Sequence, residues 1–540
     1  MRQGPDFGRD SVSRPRQTVV CVTRRVGTGE ASKIVRMIDF EDLVGERLMI
    51  GLVGSTVRDD DVRLFRETRA AGLILYRRNF ESPAQLLKLL GDLESALGRR
   101  LLVATDHEGG RIVMLGRGVT IFPDNLAVGT AGEETFAHRE GLIEARELRR
   151  LGVDLSLGPV LDVLTERYSP NIGIRSYGKD PKIVSRYGVA RIRGMARGGV
   201  AACPKHFPGK GHSPLDAHLR LPRIDSTWDE MHGTHLPPFL DAIAAGAECV
   251  MTSHPVYPNL DPSGVPATFS RLIVEDYLRK QVGFRGVIVS DDLEMGAVSE
   301  TCPIGEAAVR TADAGHDLLL VCHTAPAQRA AAAALVDAYR SGKLPTRALE
   351  ASAQRVRQLR ESRGPRTEGG APAPEPEGAP LAMAMATRAV TIVSPGPATL
   401  RRALNGRVTV IFPRFSELAP RITIEPEVQH ETTYVGETFA RAGVSPETVV
   451  VAIEPTPDQI AHAADRAADA DATVLFLYDA HLYASNRALL DAVRGRARAL
   501  AVVLLRDPYD AALLSSETLG ITAYGWRRCQ LDAVIARLCH

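Results

Sequence analysis

The chain has 540 residues, with 66 Lys and Arg against 65 Asp and Glu for a net charge of +1, and 44% of it is hydrophobic. That length exceeds one ordinary domain and predicts two. The near-neutral charge leaves no bulk field for nucleic acid or a membrane surface, and no apolar run approaches the roughly 18–20 residues that span a bilayer. Residues 1–36 are rich in Arg, Gly and Ser and lack the apolar centre of a secretory leader, so they read as a disordered extension and point to the cytoplasm. The seven cysteines are scattered and form no Cys-x-x-Cys pair, as free thiols of a reducing compartment would.

From residue 37 onward, short apolar runs alternate with amphipathic or Ala-rich stretches. Strands are predicted at 48–53, 72–76, 101–105, 153–157, 200–205, 248–253, 286–290 and 317–321, with helices between them. About eight β-α units in succession have the rhythm of a (β/α)8 TIM-like barrel, assigned to residues 37–362. Residues 363–380 (RGPRTEGGAPAPEPEGAP) form a Pro/Gly/Ala/Glu linker too poor in apolar surface to fold. Beyond it, strand-like runs at 389–393, 408–412, 449–453, 473–478, 501–505 and 521–524 alternate with helices. They predict a smaller α/β domain over 381–540, with packing or an oligomer contact as its expected role.

The densest chemistry lies between Lys205 and His218 (KHFPGKGHSPLDAH). It starts where an apolar run ends, and Gly209, Gly211 and Pro214 exclude a long helix, so it reads as a loop at a strand end. The run 286–290 ends in Asp291 and Asp292, Asp106 follows the third strand and His254 ends the sixth. All these positions fall at C-terminal strand ends, the catalytic face of a barrel. A proton-carrying His and a carboxylate on neighbouring strand ends suit displacement at carbon. Competing readings are helix capping by Asp291 or Asp292, a solvated loop His, and a structural Lys–Asp pair. A metal site built from His206, His212, Asp216 and His218 is disfavoured, because the segment has no His-x-His and is dominated by Gly and Pro. No Gly-rich phosphate loop stands at a strand–helix junction.

Four ordered motifs carry a family resemblance. KHFPGKG is followed, after four residues, by Asp216-Ala217-His218; Ser290 to Met295 reads SDDLEM; Asp106 to Arg111 reads DHEGGR; and Ile172 to Gly178 reads IGIRSYG. Together they resemble the family 3 glycoside hydrolases, in the β-N-acetylglucosaminidase branch, and the family's second domain is an α/β sandwich. The resemblance implies that Asp291 is the nucleophile and that His218, oriented by Asp216, is the acid/base. It implies that Lys205, His206, Asp106 and Arg175 bond sugar hydroxyls. His254 and Met295 line the same mouth, where packing is an equal reading. It implies an exo-acting enzyme that releases terminal β-linked N-acetylglucosamine with retention, from carbohydrate such as muropeptide fragments, without metal or organic cofactor. Lys210 in place of His, His107 in place of Gln, Ala217 in place of Ser, and Met114 where Arg is common depart from the pattern. They keep two alternatives open: an N-acetylglucosaminide phosphorylase, with Lys210 attracting phosphate, and a non-catalytic sugar-binding relative. A family 3 β-glucosidase fits less well, since that branch takes its acid/base Glu from the second domain and lacks the KHFPG loop.

Overall fold

The computed structural model describes residues 19–23, 33–166, 169, 171–213, 221–366 and 373–540. A first set of parallel strands comprises β1 (Leu48–Gly51), β2 (Gly72–Leu75), β3 (Leu102–Thr105), β4 (Leu155–Ser156), β5 (Ala201–Ala202), β6 (Cys249–Met251), β7 (Val287–Val289) and β8 (Leu319–Val321). β8 pairs with β1, from Leu319 opposite Leu48, and pairing then runs from β1 through β2, β3 and β4 to β5. β6 pairs with β7. Bridges from Phe207 to Thr252 and from Val289 to Leu318 join the two groups, so the strands close into a barrel. Helices including Pro83–Leu97, Glu134–Arg150 and Pro181–Gly198 surround it.

Closure explains why these strands are short and apolar at every position: both faces are buried. Met49, Ile74, Leu102, Ala104, Ala201, Met251 and Val289 fill the interior, while Leu48, Ile50, Leu73, Leu75 and Val103 face the helices. The helices start and stop on local signals. Ser82 accepts from the Gln85 N–H ahead of Pro83, and the helix ends at left-handed Gly98. Asp180, Pro181 and Gly199 do the same for the helix 181–198.

The second sheet contains β9 (Thr391–Pro395), β10 (Val408–Pro413), β11 (Glu447–Val451), β12 (Ala472–Leu477), β13 (Leu500–Leu504) and β14 (Leu519–Thr522), in the order β9-β14-β13-β12-β10-β11. β9 is an antiparallel edge; the rest are parallel. Alternating residues bury two faces. Val410, Phe412, Val474 and Val503 lie in one core, and Ile411, Leu475, Val502 and Leu504 in the other. A barrel followed by an α/β sandwich is thus the architecture, as the strand rhythm indicated.

Two segments differ from their sequence reading. Inside the stretch read as a disordered extension, Val19–Thr23 pairs antiparallel with Lys33–Met37, two runs rich in β-branched residues. The described parts of the linker are tied to the barrel: Arg366 bonds Glu94 at 2.7 Å, Arg363 pairs with Glu248, and residues from Gly378 onward are helical. Arginines amid the prolines supply contacts that composition alone does not foretell.

Candidate active site

The C-terminal strand ends gather one continuous charged array. Asp106 follows β3, and the chain then forms a tight hairpin, His107–Gly109 with Ile112–Val113. Gly110 at its turn has φ +50°, and a Cβ there would lie 2.1 Å from Cγ of Asp124, so the turn requires glycine. Lys205, which bridges to Val160, reaches Asp106 and Glu108 with Nζ at 2.6 Å from each. Arg175 grips Glu108 from the other side, Nε to Oε2 at 2.7 Å and Nη2 to Oε1 at 2.8 Å. Its remaining arm donates to the Asn171 carbonyl at 2.6 Å.

Two carboxylates and two cations alternate along this array, the arrangement in which buried charges persist. Burial pushes the Glu108 carboxyl up, but Arg175 and Lys205 outweigh it and hold it well below the ordinary range. Burial likewise opposes the Lys205 ammonium, and Asp106 and Glu108 hold it well above its usual value. Asp106 is raised, because burial exceeds the pull of Lys205.

His206 sits beside Asp162, with Nδ1 2.7 Å from Oδ2. The other Asp162 oxygen accepts the Lys210 N–H at 2.7 Å, which pins the KHFPGKG loop to the segment that follows β4. The Lys205–His206 and Phe207–Pro208 peptides are cis. The Lys210 side chain is buried, with no carboxylate within 4.0 Å of its ammonium among the described residues, and burial lowers its pKa.

Asp291 follows β7. Among the described residues its carboxylate accepts one protein hydrogen bond, from the Asp292 N–H at 3.0 Å, and meets no cation within 4.0 Å. Burial raises it, but the positive field of His254, Lys210 and Lys205 prevails and holds it below its ordinary value. His254 is itself pushed down by burial. Its Nε2 donates to the Asp292 carbonyl at 2.9 Å and its Nδ1 meets the Thr268 hydroxyl at 2.7 Å. With both nitrogens engaged by the protein, His254 fixes the end of β7 and has no free edge for a sugar. Asp292 is a clamp: its oxygens take the Cys322 and Glu294 N–H groups at 3.2 Å and His323 Nε2 at 3.0 Å. Met295 is half-buried and caps the short helix Gly296–Ser299.

The structure thus brings Asp106, Arg175, Lys205, His206, His254 and Asp291 to one end of the barrel. Asp216 and His218 lie outside the described residues. Four groups enter that sequence reasoning did not single out. Glu108 stands inside the DHEGGR motif, which could have flagged it, and Asp162 is a lone carboxylate in an apolar run six residues after β4. Tyr76 follows β2, and burial, with Cys322, Asp106 and Asp292 beside it, pushes its phenol well above the ordinary value. The ring of His323 lies 5.1 Å from it. The second domain also reaches the site: Asp507 Oδ1 accepts the Ile174 N–H at 2.7 Å, one residue before Arg175. Among the described residues no group of three or more His, Cys, Asp or Glu is placed to hold a metal ion, and no helix is long and apolar enough to cross a membrane.

A closed parallel barrel with a charged array at its C-terminal mouth defines the class of fold that carries enzymes at that face. The family model for the glycosyl hydrolase family 3 N terminal domain matches residues 37–359, and the chain belongs to this family of glycoside hydrolases. A β-hexosaminidase of Xylella fastidiosa (strain 9a5c) is 38% identical over 284 residues, 51% of this chain and 83% of that protein. Both domains are matched by the structure of a family 3 β-N-acetylglucosaminidase from Paenibacillus sp. str. FPU-7, with a TM-score of 0.87, 31% identity, and coverage of 93% of this chain and 97% of that one. NagZ from Neisseria gonorrhoeae in complex with N-trifluoroacetyl-D-glucosamine matches 58% of this chain and 96% of its own, at 32% identity and a TM-score of 0.50.

Proposed function

We propose that this protein is a retaining exo-β-N-acetylglucosaminidase whose nucleophile is Asp291. The observation that carries the reading is the Asp291 carboxylate at the end of β7: held below its ordinary pKa by the positive field of His254, Lys210 and Lys205, yet paired with no cation within 4.0 Å among the described residues. The β-hexosaminidase and β-N-acetylglucosaminidase names of its relatives support the same sugar. The Asp106–Lys205–Glu108–Arg175 array supplies fixed donors and acceptors for hydroxyls of a bound ring.

In the first step an Asp291 oxygen bonds to C1, the glycosidic C1–O bond breaks, and the leaving oxygen takes a proton from His218. In the second, a water oxygen attacks C1 and gives a proton to His218. The ester C1–O bond then breaks, Asp291 returns as carboxylate, and the sugar leaves with its β configuration. Asp216 holds the His218 ring and supports the imidazolium. Cys203, Cys249, Cys302, Cys322, Cys529 and Cys539 are free thiols, which fits a reducing compartment and a cytoplasmic role on cell-wall fragments.

Hydrolysis of 4-nitrophenyl N-acetyl-β-glucosaminide by wild type and Asp291→Ala, with and without phosphate, tests the reading. The expected result is free N-acetylglucosamine from wild type and a loss on the order of 10^4-fold in the variant. The buried Lys210, with no carboxylate within 4.0 Å of its ammonium among the described residues, favours one competing outcome, a sugar 1-phosphate formed in phosphate buffer, which would make the enzyme a phosphorylase. Binding without turnover would make it a sugar-binding relative.

A further inference from the structure

His323, two residues past β8, keeps 43% of its side chain exposed. Packing does not hold a ring that open; partners on both nitrogens do. Its Nε2 lies 3.0 Å from Asp292 Oδ2, and its Nδ1 lies 3.2 Å from Nη1 of Arg78. Backbone fixes Arg78 in turn: Nε donates to the Leu52 carbonyl and Nη2 to the Cys322 carbonyl, each at 2.8 Å. Its guanidinium sits over the Tyr76 ring, 4.6 Å from the centroid.

A guanidinium only donates. His323 Nδ1 therefore accepts from Arg78, which leaves the ring proton on Nε2, facing the Asp292 carboxylate. The other charges near the ring are engaged elsewhere. Glu294 takes the main-chain N–H groups of His323 and Thr324. In the hollow beside the ring, Arg58 pairs with Asp61 at 2.8 Å, Arg63 with Asp60, and Arg329 with Glu67 at 2.6 Å.

The relay ends on Asp291. Asp292 is buried, and among the described residues His323 is the one Lys, Arg or His side chain within 4.0 Å of its carboxylate. The Asp292 N–H is also the one described protein donor to the Asp291 carboxylate. Whatever holds Asp292 thus sets where that carboxylate points, and a misplacement of about 1 Å at a reacting atom costs up to roughly 100-fold in rate.

We propose that His323 is a positioning residue for the Asp291 nucleophile, acting through Asp292 and kept in its working tautomer by Arg78; the inference rests on the glycosidase reading above. Its role is to orient, since the bond to C1 is made by Asp291.

The test uses 4-nitrophenyl N-acetyl-β-glucosaminide with wild type, His323→Leu and His323→Gln. The Leu variant, folded by circular dichroism, is expected to lose about tenfold in kcat with KM within roughly twofold, as a lost bond to a charged group predicts. His323→Gln, an amide that donates to Asp292 and accepts from Arg78, restores most of kcat. A loose barrel mouth would instead raise KM in both variants, and that result overturns the proposal. So does turnover by the Leu variant within twofold of wild type, which leaves the glycosidase reading standing. A wild type that does not turn over overturns both. Asp292 lifts the His323 pKa above its ordinary value, against burial and Arg78, so the tautomer is read near pH 9, where the ring is neutral. Histidine-selective 15N spectra, with His323→Gln assigning the signal, should show the proton on Nε2; a proton on Nδ1 overturns the relay.

Discussion

In the barrel, β3, β5 and β7 run out into Asp106, Lys205 and Asp291 at one end of the barrel, where Lys205 pairs with Asp106 at 2.6 Å and Asp291 meets no cation within 4.0 Å among the described residues. In the second sheet, β12 and β13 run out into Asp479, Arg506 and Asp507, which pair at 2.6 and 3.1 Å. The crevice beyond the C-terminal ends of parallel strands is where open α/β sheets take ligands. Here a barrel loop occupies it. The Ile174 side chain is buried in the second sheet's own core, and its N–H is held by Asp507. At neighbouring Gly173, with φ +44°, a Cβ would lie 2.0 Å from the Asp507 carboxylate. One topological rule has yielded a site in one domain and a clamp on that site in the other, and the occupant of the crevice makes the difference.

The sharpest way to break this comparison is to unbalance the barrel mouth. Glu108→Gln leaves buried Lys205 with Asp106 as its remaining carboxylate partner and buried Arg175 with none within 4.0 Å among the described residues. Removing one member of such a buried set costs about 3–5 kcal/mol, so kcat/KM on the aryl glycoside should drop by on the order of 10^3. A variant that is folded by circular dichroism and within threefold of wild type would show that the array is structural ornament on a site located elsewhere. The clamp is tested next by Ile174→Ala, which deletes barrel-loop packing from the second core and should lower unfolding stability by roughly 2–5 kcal/mol. A denaturant midpoint unchanged from wild type would mean the loop merely rests in the crevice.

Asp507 gives a smaller and more specific effect. Asp507→Ala orphans the Ile174 N–H, a loss of about 1–3 kcal/mol, and should free Arg175 to wander. About a tenfold drop in kcat/KM is expected, mainly through KM. Asp507→Asn keeps an acceptor and should recover much of that loss, which a generally weakened fold would not permit. Equal damage from both substitutions would assign the effect to charge rather than to the hydrogen bond.

Such couplings mark the limit of what the sequence made legible. The eight barrel strands could be read because closed parallel strands are apolar at every position and are bounded by turn residues, and the mouth could be read because its residues sit one step past those runs. Glu108, three residues past β3, and Asp162, six past β4, lie beyond that one-step rule. The contact between Ile174 and Asp507 spans 333 residues; no local pattern encodes which loop will fill the second sheet's crevice. The described linker arginines, Arg363 and Arg366, fail for a similar reason: composition reports a Pro/Gly-rich segment, while its anchoring depends on where Glu248 and Glu94 fall in space.

The smallest expected effect sharpens the comparison from behind the mouth, where charges are not balanced two against two. Arg191, buried between the helices 134–150 and 181–198, pairs with Glu144 and, at 3.0 Å, with Glu140, and it donates to the Glu108 carbonyl at 2.7 Å. Two carboxylates share one guanidinium. Burial dominates there and lifts Glu140 to about 8 and Glu144 to about 7, whereas Glu108 is held low. A folded-state pKa raised above the unfolded value means the folded chain holds a proton that the unfolded chain has released. The stabilisation is complete below the unfolded value near 4.5 and is lost as pH rises through about 7 and 8. The melting temperature should therefore decline from pH 5 to pH 8, and Glu140→Gln, which cannot ionise, should flatten the decline by a few degrees. A slope left intact by Glu140→Gln would place the pH dependence on Glu144 alone, whereas a flat profile from pH 5 to pH 8 would mean that both carboxylates stay ionised and that the two charge clusters follow one rule after all.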